Sequence, residues 1–513
     1  MRLILLSSLL AGCSAEYGSA KESWSGDTSS NGDWASDDTG GGGEAPQDTA
    51  PPEQEDDFLK LEPAATDAYV FVANTSRNTV TRIAVPSLAV LTTEVGKIPT
   101  RVVTTADYKK AITLNEGSDS VSIIDAETLA VTDVPIRPNF NRLALSDDGH
   151  WVMCWYDPTA ESQGSSGGVQ SFNEASLVNV DSGTHTPMVV GFNPQSVKWT
   201  EDGQKALVVS DASLAVIDLT QNPPDISLIE LSDDPLNAPT AEEVELSPDG
   251  NWAFVRQFGA TDLAVVSLTD RSVQRIALGG NPTDLDLSPD GARITIVSRD
   301  AHKLYNLDPA DPFAALGELD LPADSPYGSV LFAGPRPQAI LYTTATRLDR
   351  YAVWDLLTDT ITERPLVKPI QTIGVSPTGG SLLIFHTLAD APDASASNPF
   401  NGHWAMTQID LTDFRENPLL LPAEPEGYSV SDDGHYGFFI MKDQKVLESL
   451  IFDTLLPVTV ELPSLPVYLG VLPGTSTAYA SQEHELGRIS FYDAPANALD
   501  TITGFELNAD ISH

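Results

Sequence analysis

The residue with the most definite chemistry is a cysteine near the N-terminus, which closes a short apolar segment. The apolar run Leu3–Leu10 follows a basic residue, and two small residues precede Cys13. This run is too short to cross a hydrocarbon core of about 30 Å as a helix. Small residues before a cysteine are typical of a bacterial signal peptide that is removed before a lipid-modified cysteine. We therefore expect cleavage after residues 1–12 and lipid attachment at Cys13.

Two carboxylates are the second candidate for chemistry. Glu243 and Asp284 each stand four residues before the serine of a Ser-Pro-Asp-Gly segment, so they occupy equivalent positions in two neighbouring repeats. A hard cation requires several oxygen ligands that converge on one point, and this pair supplies only two carboxylates. Two interpretations therefore remain: a divalent cation between the two carboxylates, or a solvated polar channel without any ion. We expect no other cofactor.

Motifs for other chemistry are absent from the sequence. It contains no His-Glu-x-x-His or paired Cys-x-x-Cys and no phosphate-binding or dinucleotide-binding glycine loop. Its one Gly-x-Ser-x-Gly match, residues 164–168, lies in a polar serine- and glycine-rich stretch and does not follow an apolar strand, so it lacks the context of a nucleophile elbow. The spacing of His386, His403 and His435 matches no standard metal site, and we expect these side chains on the surface. Cys154 lies among apolar residues, where a cysteine acts as a small buried hydrophobe. The sequence therefore favours a role other than catalysis.

The charge of the chain restricts its partners. Against 28 Lys and Arg stand 73 Asp and Glu, which gives a formal net charge of −45. Such a surface repels phosphate backbones and lacks the cations that release counterions from nucleic acid, so we expect no nucleic-acid partner. It also repels anionic headgroups, so membrane association should depend on the lipid at Cys13. A saline habitat, cation binding and solubility all stay open as reasons for the acidity.

Residues 13–66 have the composition of a disordered tether. They are rich in Ser, Gly, Asp, Glu and Pro, and include four consecutive glycines at 40–43. Such a segment buries too little apolar surface to fold. As a flexible coil of about 53 residues it would reach on the order of 40 Å, which would hold a folded body away from the membrane.

A repeated phrase fills the chain from residue 67 to residue 513. A typical unit contains an apolar strand, a turn of the Ser-x-Asp-Gly kind, a second apolar strand and a third strand, which in several units ends in Asp. Proline presets the turn, Asp bonds nearby backbone and Gly accepts positive φ, so we interpret the turn aspartates as structural. The turns begin at Ser146, Thr200, Ser247, Ser288, Ser376 and Ser431.

These units predict an all-β fold, a β-propeller with four-stranded antiparallel blades. Short β-branched strands in units of about 40 to 55 residues, without helical periodicity, are typical of that architecture. Ten units can be counted. Three arrangements are compatible with this count: one ring, a smaller ring with accessory strands, or two abutting propellers. We expect residues 504–511 to complete the first blade, because the first unit begins at its second strand.

Two polar insertions interrupt the repeats, at residues 157–175 and 388–403. Each follows the second strand of its unit, so both should project from one face of the ring. Aromatic residues in or beside such loops could anchor a protein or a glycan, although plain loop length explains them equally well. These residues are Trp155, Tyr156, Phe172, Phe400 and Trp404.

Several segments resemble the YVTN repeat of bacterial and archaeal surface-layer β-propellers. Residues 68–74 read AYVFVAN and are followed by NTVTRI, and residues 280–291 read GNPTDLDLSPDG. The resemblance is clearest in units one, two, five and six. It implies an extracytoplasmic binding or surface role, and related propellers include lactonases and quinone-cofactor dehydrogenases. The family therefore does not fix the chemistry.

The sequence as a whole favours a lipid-anchored extracytoplasmic propeller that binds or scaffolds an envelope macromolecule, either protein or glycan. A propeller enzyme, lactonase-like or oxidoreductase, and a structural cell-surface component are the alternatives. Ser14 follows Cys13 where an Asp retains many lipoproteins at the inner membrane. We therefore expect the outer membrane, and the oligomeric state stays open.

Overall fold

The computed structural model describes residues 65–160, 170–232, 234, 239–454 and 456–507. The expected signal peptide, Cys13 and nearly all of the expected tether lie outside the described residues. So do residues 161–169 of the first insertion and the C-terminal residues 508–513.

The described residues form 39 strands in ten antiparallel sheets, and each sheet is one blade. Blade 1 has three strands and every later blade has four. The strands of blades 1 to 3 are β1 Tyr69–Asn74, β2 Thr79–Ala84, β3 Val90–Glu94, β4 Pro99–Thr104, β5 Lys110–Asn115, β6 Ser120–Asp125, β7 Val131–Pro135, β8 Arg142–Leu145, β9 Trp151–Trp155, β10 Glu174–Asn179 and β11 Thr184–Val189.

The later blades follow in chain order. The strands of blades 4 to 6 are β12 Pro194–Trp199, β13 Lys205–Ser210, β14 Ser213–Asp218, β15 Asp225–Glu230, β16 Ala241–Leu246, β17 Trp252–Gln257, β18 Asp262–Ser267, β19 Val273–Ala277, β20 Asp284–Leu287, β21 Ile294–Ser298, β22 Lys303–Leu307 and β23 Gly317–Asp320. The strands of blades 7 to 10 are β24 Ser329–Phe332, β25 Gln338–Tyr342, β26 Arg350–Asp355, β27 Thr360–Pro365, β28 Ile370–Val375, β29 Ser381–His386, β30 Trp404–Asp410, β31 Glu416–Leu421, β32 Pro425–Val430, β33 Tyr436–Met441, β34 Val446–Ile451, β35 Leu456–Glu461, β36 Pro466–Val471, β37 Thr477–Gln482, β38 Arg488–Asp493 and β39 Ala498–Thr503.

The core of the molecule is a ring of ten apolar clusters, each between two successive blades. The last cluster joins Val70 and Ile83 of blade 1 to Tyr479 and Phe491 of blade 10. First strands of neighbouring blades contact each other, as β16 contacts β20 and β32 contacts β36, so they surround the axis. The structure is therefore one closed ten-bladed propeller. It is neither a smaller ring with accessory strands nor two abutting propellers.

The Ser-x-Asp-Gly turns confirm the structural interpretation of their aspartates. In blade 3 the Ser146 hydroxyl donates to Asp148 over 2.6 Å, and Asp148 accepts the His150 amide over 3.0 Å. Gly149 has a φ of +73°, a conformation that glycine adopts without steric cost. The same serine-to-aspartate bond recurs at Ser247, Ser288 and Ser431.

The buried thiol of Cys154 packs in the cluster between blades 2 and 3. Burial raises the pKa of this thiol far above its usual range. A thiol that stays protonated is a poor nucleophile, since the thiolate is the reactive form. The structural interpretation of Cys154 is therefore confirmed.

Ring closure differs from the expectation for the C-terminus. Residues 501–503 belong to the outer strand of blade 10, and the chain then turns at Gly504, whose φ is +92°. Phe505–Leu507 form a 3-10 turn that contacts β2 and β3, where Thr81 Oγ1 donates to the Phe505 carbonyl over 3.2 Å. The expected strand at 504–507 is wrong, because Gly504 redirects the backbone. The described bridge to β1 comes instead from Ala65, which pairs with Val70.

Removing the Phe505 ring should open this closure. The side chain is 3% exposed and lies in the cluster that joins blades 10 and 1. We expect Phe505→Ala to lower the free energy of unfolding by about 3 kcal/mol, the low end for a buried phenylalanine, since a terminal turn relaxes readily. Chemical denaturation followed by circular dichroism checks this value. Leu507→Ala, an exposed position of the same turn, is the control and should behave as the wild type.

The antiparallel order gives the ring two distinct faces. On one face, which we call the turn face, lie the Ser-x-Asp-Gly turns and the connections from third to fourth strands. On the other, the insertion face, lie the connections from second to third strands and from one blade to the next. Both insertions join second to third strands, in blade 3 and in blade 8. The expectation that they share one face is therefore confirmed.

Within the described residues, no helix has the length and apolar character needed to span a bilayer.

Candidate functional site

Inner strands of six blades carry a β-bulge at the insertion face, where the register slips by one residue. A bulge places two successive residues against one partner and re-aims their side chains. In blade 5 the slip lies between Ala241 and Glu243. Glu242 and Glu243 thereby both reach one side chain, Arg256 of β17, over 2.6 and 2.9 Å. The pattern of the sequence alone did not predict these bulges.

The two carboxylates of the cation hypothesis have different partners. Glu243 is held by Arg256 as described, and Asp284 is buried, with its Oδ2 accepting the Val330 amide of blade 7 over 2.5 Å. Within the described ranges, no group of three or more His, Cys, Asp or Glu side chains gathers that could hold a metal. A cation between Glu243 and Asp284 stays a prediction.

The first insertion is anchored at its start by an ion pair with the inner strand. Arg142 Nε lies 2.9 Å from Asp157 Oδ2, and Asn141 Nδ2 donates to the Asp157 carbonyl over 2.8 Å. Burial raises the pKa of Asp157, but hydrogen bonds from Thr159 and Arg142 outweigh it, so this pKa lies below its usual value. The first residues of the loop are therefore held against the ring by an ionised Asp157 carboxylate.

The second insertion is anchored by a buried lysine. Lys368 is 1% exposed, and its Nζ donates to the carbonyls of Leu388 and His403 over 2.9 and 2.7 Å. Asp390 Oδ1 lies 3.3 Å from the same Nζ. These contacts tie both ends of the loop to one cation. Lys368 could not be singled out from the sequence, because no motif around it marks a buried charge.

His386, the last residue of β29, lies beside the segment that carries Lys368. It is buried, with Nε2 2.7 Å from Thr407 Oγ1 and Nδ1 3.2 Å from the Pro369 carbonyl. The prediction of a surface position is therefore wrong for His386, since β29 carries it into the sheet. Burial, with a contribution from Lys368, lowers the pKa of His386 from 6.5 to about 4.

This histidine predicts acid sensitivity. The folded chain keeps His386 neutral while the unfolded chain protonates it, so stability falls as the pH drops from 6.5 towards 4. The loss should reach about 3 kcal/mol at pH 4. Comparing the free energy of unfolding of wild type and His386→Gln between pH 7 and pH 4 isolates it. An equal decline in both chains would contradict the prediction, and His435→Gln, an exposed position, is the control.

The five predicted aromatic residues differ in exposure. Trp155 is buried in the cluster between blades 3 and 4, and Trp404 packs against the cluster between blades 8 and 9. Tyr156 and Phe400 are half-buried, and Phe172 alone among the five is exposed, at 41%. The first insertion thus offers one exposed ring and the second offers none.

A second exposed ring, absent from the sequence prediction, joins Phe172. Phe192 is 65% exposed and lies on the connection from blade 3 to blade 4. The rings of Phe172 and Phe192 stack with centroids 6.2 Å apart and planes 26° apart, and Tyr156 meets Phe172 edge-on at 5.4 Å. We call Phe172 and Phe192 the aromatic platform. Only the fold brings these two segments together.

The two insertions stand opposite each other. Blades 3 and 8 are five blades apart in either direction around a ring of ten. The aromatic platform therefore lies on one side of the insertion face, and the loop held by Lys368 lies on the other. Between them the inner strands surround the axis, and six of these strands carry a bulge at this face.

Comparisons with known proteins agree with the fold. No protein-family model matches the chain. No curated protein matches it. A crystal structure of a eukaryotic initiation factor is similar over 77% of this chain and 96% of its own, with 13% identity and a TM-score of 0.53.

Two further solved structures show weaker likeness. The dihydro-heme d1 dehydrogenase NirN, in complex with DHE, is 13% identical over 79% of this chain and 77% of its own, with a TM-score of 0.45. AztD of Citrobacter koseri is 14% identical over 60% of this chain and 86% of its own, with a TM-score of 0.36.

Proposed function

We propose that the chain is a lipid-anchored extracytoplasmic binding module that scaffolds an envelope or surface macromolecule on its insertion face. The observation that carries the proposal is the exposed aromatic platform beside one of two anchored insertions on a single face. Surface aromatic rings on a rigid scaffold are characteristic of recognition sites. The closed propeller supplies that scaffold, because all ten interfaces between blades are apolar.

The lipid anchor and the family are further parts of the proposal. The sequence around Cys13 supports lipid attachment, and Ser14 supports the outer membrane. The propeller fold is compatible with the YVTN-repeat resemblance. In this proposal the acidic tether holds the ring away from the headgroups, so that partners can reach the insertion face.

Pull-down from envelope extracts with the lipidated full chain tests the binding role. One variant shortens residues 161–169 and 392–397, which leaves Asp157 and Lys368 with their partners, and a second variant is Phe172→Ser with Phe192→Ser. We expect a captured macromolecule to be lost with at least one of them. Leu357→Ser, an exposed apolar position on the turn face, is the control. Unchanged capture in both variants would refute the proposal.

Fractionation tests the anchor separately. Cys13→Ser should move the protein from the membrane fraction to the soluble fraction, because the acidic surface has no affinity of its own for anionic lipid. Retention of Cys13→Ser on membranes would refute lipid anchoring at this residue.

A further inference from the structure

We propose that the aromatic platform binds a neutral carbohydrate. A sugar ring lies with its C–H face over Phe192, and its hydroxyl groups meet Asn193, Gln195 and Asp211. The inference rests on the proposed function, because it assigns a ligand class to the binding face.

The platform provides the apolar half of such a site. Phe192 and Phe172 are 65% and 41% exposed, although burying rings of this size would be favourable. The electron-rich face of an aromatic ring attracts the polarised C–H bonds of a sugar, and Phe192 leaves much of its surface to solvent. Tyr156 supports Phe172 edge-on, so the stacked pair is backed by the protein on one side.

The backbone under both rings is fixed. The Asn193 amide donates to the Phe172 carbonyl over 2.7 Å, and the Asp211 amide donates to the Phe192 carbonyl over 3.2 Å. These bonds join the end of the first insertion, the connection between blades and the loop of blade 4. Binding therefore costs little conformational entropy, since the platform is ordered before a ligand arrives.

Planar polar groups next to Phe192 provide the other half. Asp211 Oδ1 accepts the side-chain amides of Asn193 over 2.9 Å and Gln195 over 2.7 Å. Each amide group carries two N–H donors and a carbonyl acceptor, so hydrogen-bonding capacity remains after these bonds form. Sugar hydroxyls both donate and accept, which matches such a network.

The negative charge of the chain favours an uncharged carbohydrate over an anionic one. The platform and its three polar neighbours contain no cation, and the whole chain has a net charge of −45. An anionic polymer would be repelled. An apolar protein surface would desolvate the Asp211 carboxylate without offering it a hydrogen bond, which is costly. A neutral glycan satisfies the carboxylate with hydroxyl groups and covers the rings at the same time.

Titration calorimetry on the full chain, in a non-glycosidic detergent, tests the inference with four neutral probes: cellohexaose, maltohexaose, hexa-N-acetylchitohexaose and mannohexaose. We expect at least one probe to bind. Phe192→Ala and Asp211→Ala should each weaken that binding by about tenfold or more, as truncation of a central contact does. Phe258→Ala is the matched control, because Phe258 is 63% exposed on the same face, in blade 5, outside the platform.

The outcomes separate this inference from the proposed function. Failure of all four probes overturns the carbohydrate inference, and so does equal weakening by Phe258→Ala and Phe192→Ala. If a protein is captured through Phe172 and Phe192 while no sugar binds, the platform serves a protein, and the binding role stands without the glycan. Thermal melting of each variant checks that the fold is intact, since Phe192 and Phe258 are exposed and Asp211 is half-buried.

Discussion

Gly379→Ala should destabilise the ring more than any other glycine-to-alanine change at its turns. Gly379 lies in the first turn of blade 8 with a φ of +66°, and an added Cβ would stand 2.2 Å from the Ala333 carbonyl oxygen of blade 7. Backbone cannot yield as a flexible side chain does. Positive φ and the overlap together should lower the free energy of unfolding by about 4 kcal/mol.

Gly474 is the matched control for this prediction. It occupies the corresponding turn of blade 10 with a φ of +71°, but nothing lies within 4 Å of the position of an added Cβ. Gly474→Ala therefore carries only the conformational cost, about 1 kcal/mol. Guanidinium denaturation of both variants checks the difference, and equal midpoints would show that the contact between successive turns is unimportant.

Lys368→Met should have a comparable effect through a different cause. The substitution keeps an unbranched apolar side chain, one atom shorter, but removes the charged Nζ that contacts two carbonyls and Asp390. Two part-buried hydrogen bonds from a charged donor are then lost, and we expect a loss of about 4 kcal/mol. Residues 388–403 should also become sensitive to protease before the ring unfolds, because both of their ends are released.

Limited proteolysis followed by mass spectrometry measures this early cleavage. Lys442→Met is the control, since Lys442 is exposed and lies 3.7 Å from Glu424. It should change stability by less than about 1 kcal/mol. Resistance of the 388–403 segment in Lys368→Met would mean that the loop is held by other contacts.

The architecture was predictable because its signals are local. Each Ser-x-Asp-Gly turn fixes a hairpin within a few residues, and the count of units gives the blades. The shared face of the insertions follows from their place after second strands. The number of rings required the structure, since the apolar cluster that includes Val70 of blade 1 and Tyr479 of blade 10 shows that the last blade meets the first.

The site was less predictable because its contacts join distant or irregular positions. Phe172 and Phe192 are twenty residues apart and meet only where blade 3 passes to blade 4. A bulge in β16 turns both Glu242 and Glu243 towards Arg256, and no residue pattern marks that bulge. Lys368 resembles an ordinary charged loop residue until the fold closes around it.

The opposed insertions have a consequence for the strength of binding. If the second insertion also contacts the partner proposed above, two recognition elements half a turn apart on one rigid body would form a bivalent receptor for any partner long enough to reach both. Once one element is engaged, the other meets its target at a high effective concentration, so avidity exceeds the affinity of either alone. Short partners would gain nothing from this arrangement. A ring that binds in this way would discriminate by length and would favour polymers and assemblies over their fragments.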